Sequence, residues 1–222
     1  MFDNQSIAGT GARESALATN KVLRNTYLLL SMTLLFSGLT AYLGMRSGVM
    51  LGFLPTILIY FGLLFATEKT ADSSLGLVFV FALTGFLGFT LGPILSFYLH
   101  TPAGAQLVMT ALGGTGIIFL GLSGYALTTR KDFSFLGGML VTGILVAFIA
   151  GLGAFVFNLP GLSLAVSAIF IVLMSGLILF QTSQIIHGGE TNYIRATVTL
   201  YVAIYNLFLS LLRILSAFSG RS

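Results

Sequence analysis

The chain has 222 residues, of which 7% are charged, whereas roughly 25% of the residues in soluble domains carry charge. Its hydrophobic share is 56% and its mean hydropathy is +1.02, which excludes a soluble globule and predicts an all-α integral membrane protein. With no cysteine, two histidines and six carboxylates, the chain has few ligands for a metal, and we expect no cofactor. The net charge of +4 indicates contact with membrane lipids rather than with nucleic acid.

Charge-free stretches of the sequence mark the membrane spans, because a helix needs about 20 apolar residues to cross a bilayer. Two uncharged runs of 57 residues, 73–129 and 133–189, are each long enough for two helices. Proline and glycine divide these runs at 100–104 and 158–161. Adding the spans 25–45, 47–67 and 196–218 gives seven predicted transmembrane helices in one membrane domain, residues 21–222.

The distribution of lysine and arginine predicts the orientation, because positively charged loops stay in the cytoplasm. Three cations belong to one set of alternate loops and termini: Arg46, Arg213 and Arg221. Seven belong to the other set: Arg13, Lys21, Arg24, Lys69, Arg130, Lys131 and Arg195. We therefore predict a cytoplasmic N-terminus and a periplasmic C-terminus. Residues 1–20 contain few large apolar side chains and are predicted to be a disordered cytoplasmic tail.

Small and polar residues inside the spans predict helix packing rather than ion transfer. All six carboxylates lie outside the predicted spans, so no acidic proton relay is expected within the bundle. Two stripes of small residues are predicted packing faces: Thr84, Gly88 and Gly92, and Gly143, Ala147 and Gly151. Tyr201, Tyr205 and Asn206 are polar residues at mid-depth of the seventh helix and require partners from neighbouring helices.

One short motif raises the alternative of an intramembrane protease. The string GLSG at 121–124 is similar to the serine motif of rhomboid proteases, with His187 as the candidate base on the same membrane side. A serine followed by glycine is common in apolar helices, and the chain has no tryptophan and lacks the long first outer loop of rhomboids. We therefore predict that Ser123 packs in the bundle, that no residue is catalytic and that the protein is not an enzyme.

Four longer strings carry a more specific signal. They are NKVLRNTY at 20–27, TGFLGFTLGPIL at 84–95, TTRKDFSFLGGML at 128–140 and IIHGGETNYIRATVTLY at 185–201. Together they resemble the Bax inhibitor-1 family, and within it a bacterial inner-membrane branch, from about Asn20 to the end of the seventh helix. The resemblance implies a seven-helix bundle in which the seventh helix is central among the other six.

The family resemblance implies two alternative functions. Some members are similar to calcium leak channels that are gated by protonation of paired aspartates in helices six and seven. The matching positions here are Gln181 and Ala203. Because hard cations require charged oxygen ligands, an amide and a methyl group argue against that ion-channel alternative.

The bacterial branch implies a protein that modulates the membrane-bound AAA protease FtsH. As a negative regulator and slowly degraded client, acting with FtsH and its associated membrane regulators, it would protect other membrane proteins from degradation. Such a protease begins on an unfolded tail before it extracts helices. The candidate protease-engaged tail contains five polar or charged residues: Asp3, Asn4, Gln5, Arg13 and Glu14.

Overall fold

The computed structural model describes the backbone of residues 4–220 and the side chains of residues 17–220. Every regular element in this part of the chain is an α-helix, and there are seven. Their bounds are α1 Asn4–Ser47, α2 Phe53–Thr70, α3 Ser74–Leu99, α4 Gly104–Thr129, α5 Leu136–Val156, α6 Pro160–Ile186 and α7 Tyr193–Ser219. Each contains a segment long and apolar enough to cross a membrane, which in α1 is Leu17–Ser47. The predicted all-α membrane fold with seven spans is confirmed for the described residues.

The helix ends agree with the prediction where proline or glycine marks them. Thus α3 ends at Leu99 and α4 begins at Gly104, while α6 begins at Pro160. The second helix begins at Phe53 rather than at 47, because the chain turns at Gly48 with a positive φ of 63°, which a residue without Cβ adopts readily. The span in α1 includes residues 17–20, which the prediction assigned to the tail. Residues 1–3, residues 221 and 222 and the side chains of 4–16 lie outside the described part. Although α1 includes the backbone of residues 4–20, the disorder of the tail stays a prediction.

The core of the bundle lies along α7. This helix packs against α1, α3, α4 and α6, and its residues Leu200, Tyr201 and Ala203 are at most 1% exposed. Large apolar side chains cover the outer surfaces of the other helices, as expected where helices face lipid. A position of α7 central to all six other helices stays a prediction.

The two predicted small-residue stripes are packing faces. An added Cβ at Gly92 of α3 would lie 2.6 Å from the carbonyl oxygen of Ala41 in α1, and one at Gly88 would overlap the carbonyl oxygen of Ser37. In the second stripe, a Cβ at Gly143 of α5 would lie 2.7 Å from a methyl carbon of Leu173 in α6. The parallel helices α1 and α3 therefore approach each other at a distance that only glycine permits.

Candidate functional site

The two positions that match the family's aspartates lie on neighbouring helices in the bundle core. Gln181 of α6 is 5% exposed and Ala203 of α7 is fully buried. The side-chain nitrogen of Gln181 has no hydrogen-bond partner among the described residues. Within the same part of the chain, no group of three or more histidine, aspartate or glutamate side chains could hold a metal ion. The amide and methyl group therefore supply no charged oxygen to a cation at this place.

Tyr201 connects three helices through its hydroxyl group. Its Oη lies 2.5 Å from Oγ of Ser37 in α1 and donates to the carbonyl oxygen of Thr84 in α3 at 3.1 Å. Asn206, by contrast, donates to the carbonyl of Val202 within α7. Tyr201 thus has the interhelical partners that the sequence required, and it ties α7 to the glycine contact between α1 and α3.

Helix ends and loops at one end of the bundle form a charged cluster, which we call the Arg195 cluster: Glu68, Asp72, Asn192 and Arg195. Nε of Arg195 lies 2.7 Å from Oε1 of Glu68, and its Nη2 lies 3.0 Å from Oδ2 of Asp72. All three charged side chains are partly exposed, so solvent weakens each ion pair, and the pairs chiefly position the helix ends and the turn between α2 and α3.

Asn192 organises the backbone of the Arg195 cluster. Its Oδ1 accepts hydrogen bonds from the backbone amides of Ile194 and Arg195, which makes it the N-cap of α7. Its Nδ2 donates to the carbonyl of Ala71 at 2.9 Å and to Oδ1 of Asp72 at 2.8 Å. One side chain therefore begins α7 and joins it to the turn between α2 and α3.

At the same end, the C-terminus of α6 is tied to the α4–α5 loop. Nε2 of His187 lies 3.1 Å from the carbonyl oxygen of Arg130, and Oγ of Ser183 accepts from the amide of Phe133 at 2.9 Å. A hydrogen bond from the Ser134 amide lowers the pKa of the Asp132 carboxyl below its ordinary value.

The serine and histidine of the protease alternative do not form a pair. Ser123 is 3% exposed, and its hydroxyl group has no hydrogen-bond partner among the described residues. Both ring nitrogens of His187 contact other groups, namely those of Ser183 and Arg130. Without a base within hydrogen-bond reach, Ser123 lacks the activation that a nucleophilic serine requires.

Comparison with known families shows to which family the chain belongs. Residues 19–220 match the family described as "Inhibitor of apoptosis-promoting Bax1". The chain belongs to this Bax inhibitor-1 family. The match begins within α1, includes the other six helices and ends close to the C-terminus, in agreement with the resemblance of the four sequence strings.

Three bacterial relatives in the comparison cover almost the whole chain. It is 54% identical over 213 residues to the Escherichia coli K12 protein named "Modulator of FtsH protease YccA", an alignment that covers 94% of this chain and 95% of the relative. The same figures apply to a protein of another Escherichia coli strain, named "Inner membrane protein YccA". A membrane protein of Vibrio cholerae is 45% identical over 208 residues, which is 93% of each chain.

The strings that identify the Bax inhibitor-1 family contain many of the contacts that hold this bundle together. The string at 84–95 supplies Gly88 and Gly92, while the string at 185–201 supplies Asn192, Arg195 and Tyr201. The Arg195 cluster was missed by sequence reasoning, although an asparagine directly before an apolar helix signals an N-cap. The side chains of the predicted protease-engaged tail residues, Asp3, Asn4, Gln5, Arg13 and Glu14, lie outside the described part.

Proposed function

We propose that the protein modulates a membrane-bound AAA protease of the FtsH type, as its negative regulator and slowly degraded client in the bacterial inner membrane. The observation that carries this proposal is the 54% identity, over 94% of the chain, to a relative named as a modulator of FtsH protease. The finer parts of the proposal are that the N-terminus is cytoplasmic, that membrane lipids and regulators of the protease take part, and that other membrane proteins are thereby protected.

The packing of α1 supports the slow extraction that such a client requires. A protease that pulls on the N-terminal tail acts first on α1. This helix has its most extensive contacts with α3, where Gly88 and Gly92 leave no space for even a methyl group against the α1 backbone. The hydroxyl contact between Ser37 and Tyr201 adds a polar tie inside the membrane, where a separated hydroxyl group finds no water. Extraction of α1 must break both contacts together.

The alternative of an ion leak channel has less support from the residues. Gln181 and Ala203 carry no charge at the positions where the family's channels have aspartates, and so protonation of these side chains cannot gate a pathway. A protease activity of the chain itself would require a base near Ser123, and His187 is bound elsewhere.

A pulse-chase experiment on tail variants tests the proposal. Deletion of residues 2–18 retains Lys21 and Arg24, so the excess of cations that sets the orientation is kept. We expect the truncated protein to be degraded more slowly, and the half-life of a second, unassembled membrane protein that the same protease removes to increase. A control variant keeps residues 2–18 in scrambled order and retains the length of the tail. It should be degraded like the original chain if the protease requires only an unfolded segment.

Co-purification provides the second measurement. The full chain in native membranes should bring down the AAA protease, and the truncated chain should do so through its helices, with lower yield. Equal half-lives for the full and truncated chains, together with no protection of the second substrate, would contradict the proposal.

A further inference from the structure

The loop between α1 and α2, residues 48–52, contains no polar side chain. Its sequence is GVMLG, and no charge occurs between Arg46 and Glu68. Met50 is 78% exposed and Val49 is 48% exposed, so two large apolar side chains project from a turn that would ordinarily face water. Exposure of a Met or Val side chain to water is unfavourable, which makes an aqueous position for this loop costly.

The neighbours of the loop show that it lies beside α3, before the C-terminal end of that helix. Met50 and Leu51 line a cavity of about 380 Å³ together with Phe89, Pro93 and Ile94 of α3. Helix α3 continues past Pro93 for six residues to Leu99, which is about 9 Å along its axis. The loop therefore lies beside the last turns of α3 and not beyond its C-terminal end.

The length of α3 places this level relative to the bilayer. Its 26 residues span about 39 Å, whereas the hydrocarbon core is about 30 Å thick. A centred α3 extends about 4–5 Å beyond the hydrocarbon at each end, so the level of Pro93 lies about 4–5 Å inside the hydrocarbon boundary. In this placement of α3, the loop lies close to the boundary between headgroups and acyl chains.

Hydrogen bonds within the protein hold both ends of the loop. The amide of Val49 donates to Oγ of Ser47 at 3.2 Å. At the other end, the amide and hydroxyl groups of Thr56 both donate to the carbonyl oxygen of Gly52, at 3.1 and 2.9 Å.

The apolar surface of the loop is continuous with surfaces that face lipid. Leu54, in the first turn of α2, is 69% exposed, and the ring of Phe53 stacks on Phe155 of α5 with centroids 4.6 Å apart. Phe157, in the α5–α6 turn, is 73% exposed on the same side of the membrane. The third turn on this side differs, because it contains His100 and Thr101 and is polar.

We propose that the α1–α2 loop is a turn within the membrane interface that binds lipid at the headgroup–acyl boundary of its leaflet, with Val49 and Met50 in contact with acyl chains. The continuity with the lipid-facing surface of α2 identifies the bilayer, rather than a second copy of the chain, as the partner. The loop thus adds an interfacial contact to the seven spanning helices.

Single-cysteine labelling tests this proposal directly, because the natural chain contains no cysteine. Three variants are reconstituted in phospholipid vesicles: Met50→Cys in the loop, Thr101→Cys in the polar turn and Leu54→Cys in α2. A membrane-impermeant maleimide is supplied on both sides of the membrane, so that orientation does not affect the result. We expect Met50→Cys to react at least tenfold more slowly than Thr101→Cys and about as slowly as Leu54→Cys, and all three to react fully in denaturing detergent. Val49→Cys is the second loop position if Met50→Cys does not fold.

Spin labels on the same cysteines identify what covers the loop. Contact with lipid gives frequent collisions with oxygen and few with a water-soluble nickel chelate. Frequent collisions with the chelate, or maleimide reaction as fast as that of Thr101→Cys, would place the loop in water and overturn the proposal. Few collisions with either reagent would indicate cover by a second copy, and this too would overturn it.

Discussion

Substitution of Gly92 by alanine tests the reasoning that contact between α1 and α3 makes the chain a slowly extracted client. Gly92 lies in α3 against the backbone of α1. An added Cβ would be 2.6 Å from both the carbonyl oxygen of Ala41 and the carbonyl carbon of Gly44, whereas ordinary contact begins at 3.4 Å. The backbone nitrogen of Met45 would be closer still. Because all three neighbours are backbone atoms, no side-chain rotation relieves the overlap, and α1 must move away by more than about 0.8 Å.

The expected magnitude follows from the cost of overpacking. Insertion of a methyl group into a closely packed contact costs about 1–3 kcal/mol. Since each 1.4 kcal/mol changes an equilibrium tenfold, the population in which α1 is detached should rise by a factor of about 5–150. Degradation that begins with detachment of α1 should accelerate in proportion until another step limits the rate.

Two measurements on one matched pair of variants test this expectation. The control is Gly38→Ala in α1, where an added Cβ meets no atom within 4 Å and the change in helix propensity is the same. We expect Gly92→Ala to lower the free energy of unfolding in detergent–SDS mixtures by about 1–3 kcal/mol and to shorten the half-life of the protein in cells. Gly38→Ala should lower neither the free energy of unfolding nor the half-life, because it adds helix propensity without an overlap.

Two results would refute the reasoning. Equal stabilities of the two variants would show that the glycine contact does not hold α1 in place. A less stable Gly92→Ala protein with an unchanged half-life would show that detachment of α1 does not limit extraction, and slow degradation would then require another cause.

Four further predictions concern the residues Gln181, Ala203, Ser123 and Asn192. The purified protein in liposomes should give no calcium flux that changes between about pH 8 and pH 6, because Gln181 and Ala203 lack carboxylates; a robust pH-dependent leak in a dye assay would contradict this. Gln181→Met should leave the free energy of unfolding unchanged or raise it by about 1 kcal/mol, since it removes a buried donor without a partner, and a large loss in SDS titration would reveal an unrecognised contact. Ser123→Ala should leave client stability and protease modulation unaltered, whereas loss of cleavage of a membrane substrate would revive the protease alternative. Asn192→Ala should lower the free energy of unfolding by about 1–2 kcal/mol through loss of the cap of α7, and stability equal to that of the natural chain would exclude this role.

Features that depend on neighbouring residues alone could be predicted from the sequence. The starts of α4 and α6 follow from Gly104 and Pro160, because proline and glycine act on the local backbone. The start of α2 was misplaced because the apolar residues 48–52 have the composition of a membrane helix. Their sequence does not reveal that the backbone turns at Gly48, with a positive φ, and that the loop lies against Pro93 and Ile94.

Features that depend on distant contacts were predicted only in part. The sequence indicated that Tyr201 needs a hydrogen-bond partner, but any backbone carbonyl can accept, and so Thr84 could not be singled out. Likewise, Arg195 lies more than 120 residues from Glu68 and Asp72, and the pairing depends on which loops the helices bring together.

The hydrogen bond between Tyr201 and Ser37 also orders events during synthesis. The two residues are 164 positions apart, so at about 5–20 residues per second Ser37 enters the membrane roughly 8–33 s before its partner has been made. Over that interval α1 and α3 can pair through their glycines, but the carbonyl of Thr84 and the hydroxyl group of Ser37 lack the tyrosine. A nascent chain is therefore an open bundle until its last helix inserts, and a copy released without α7 presents to membrane quality control the exposed polar groups that the finished protein conceals.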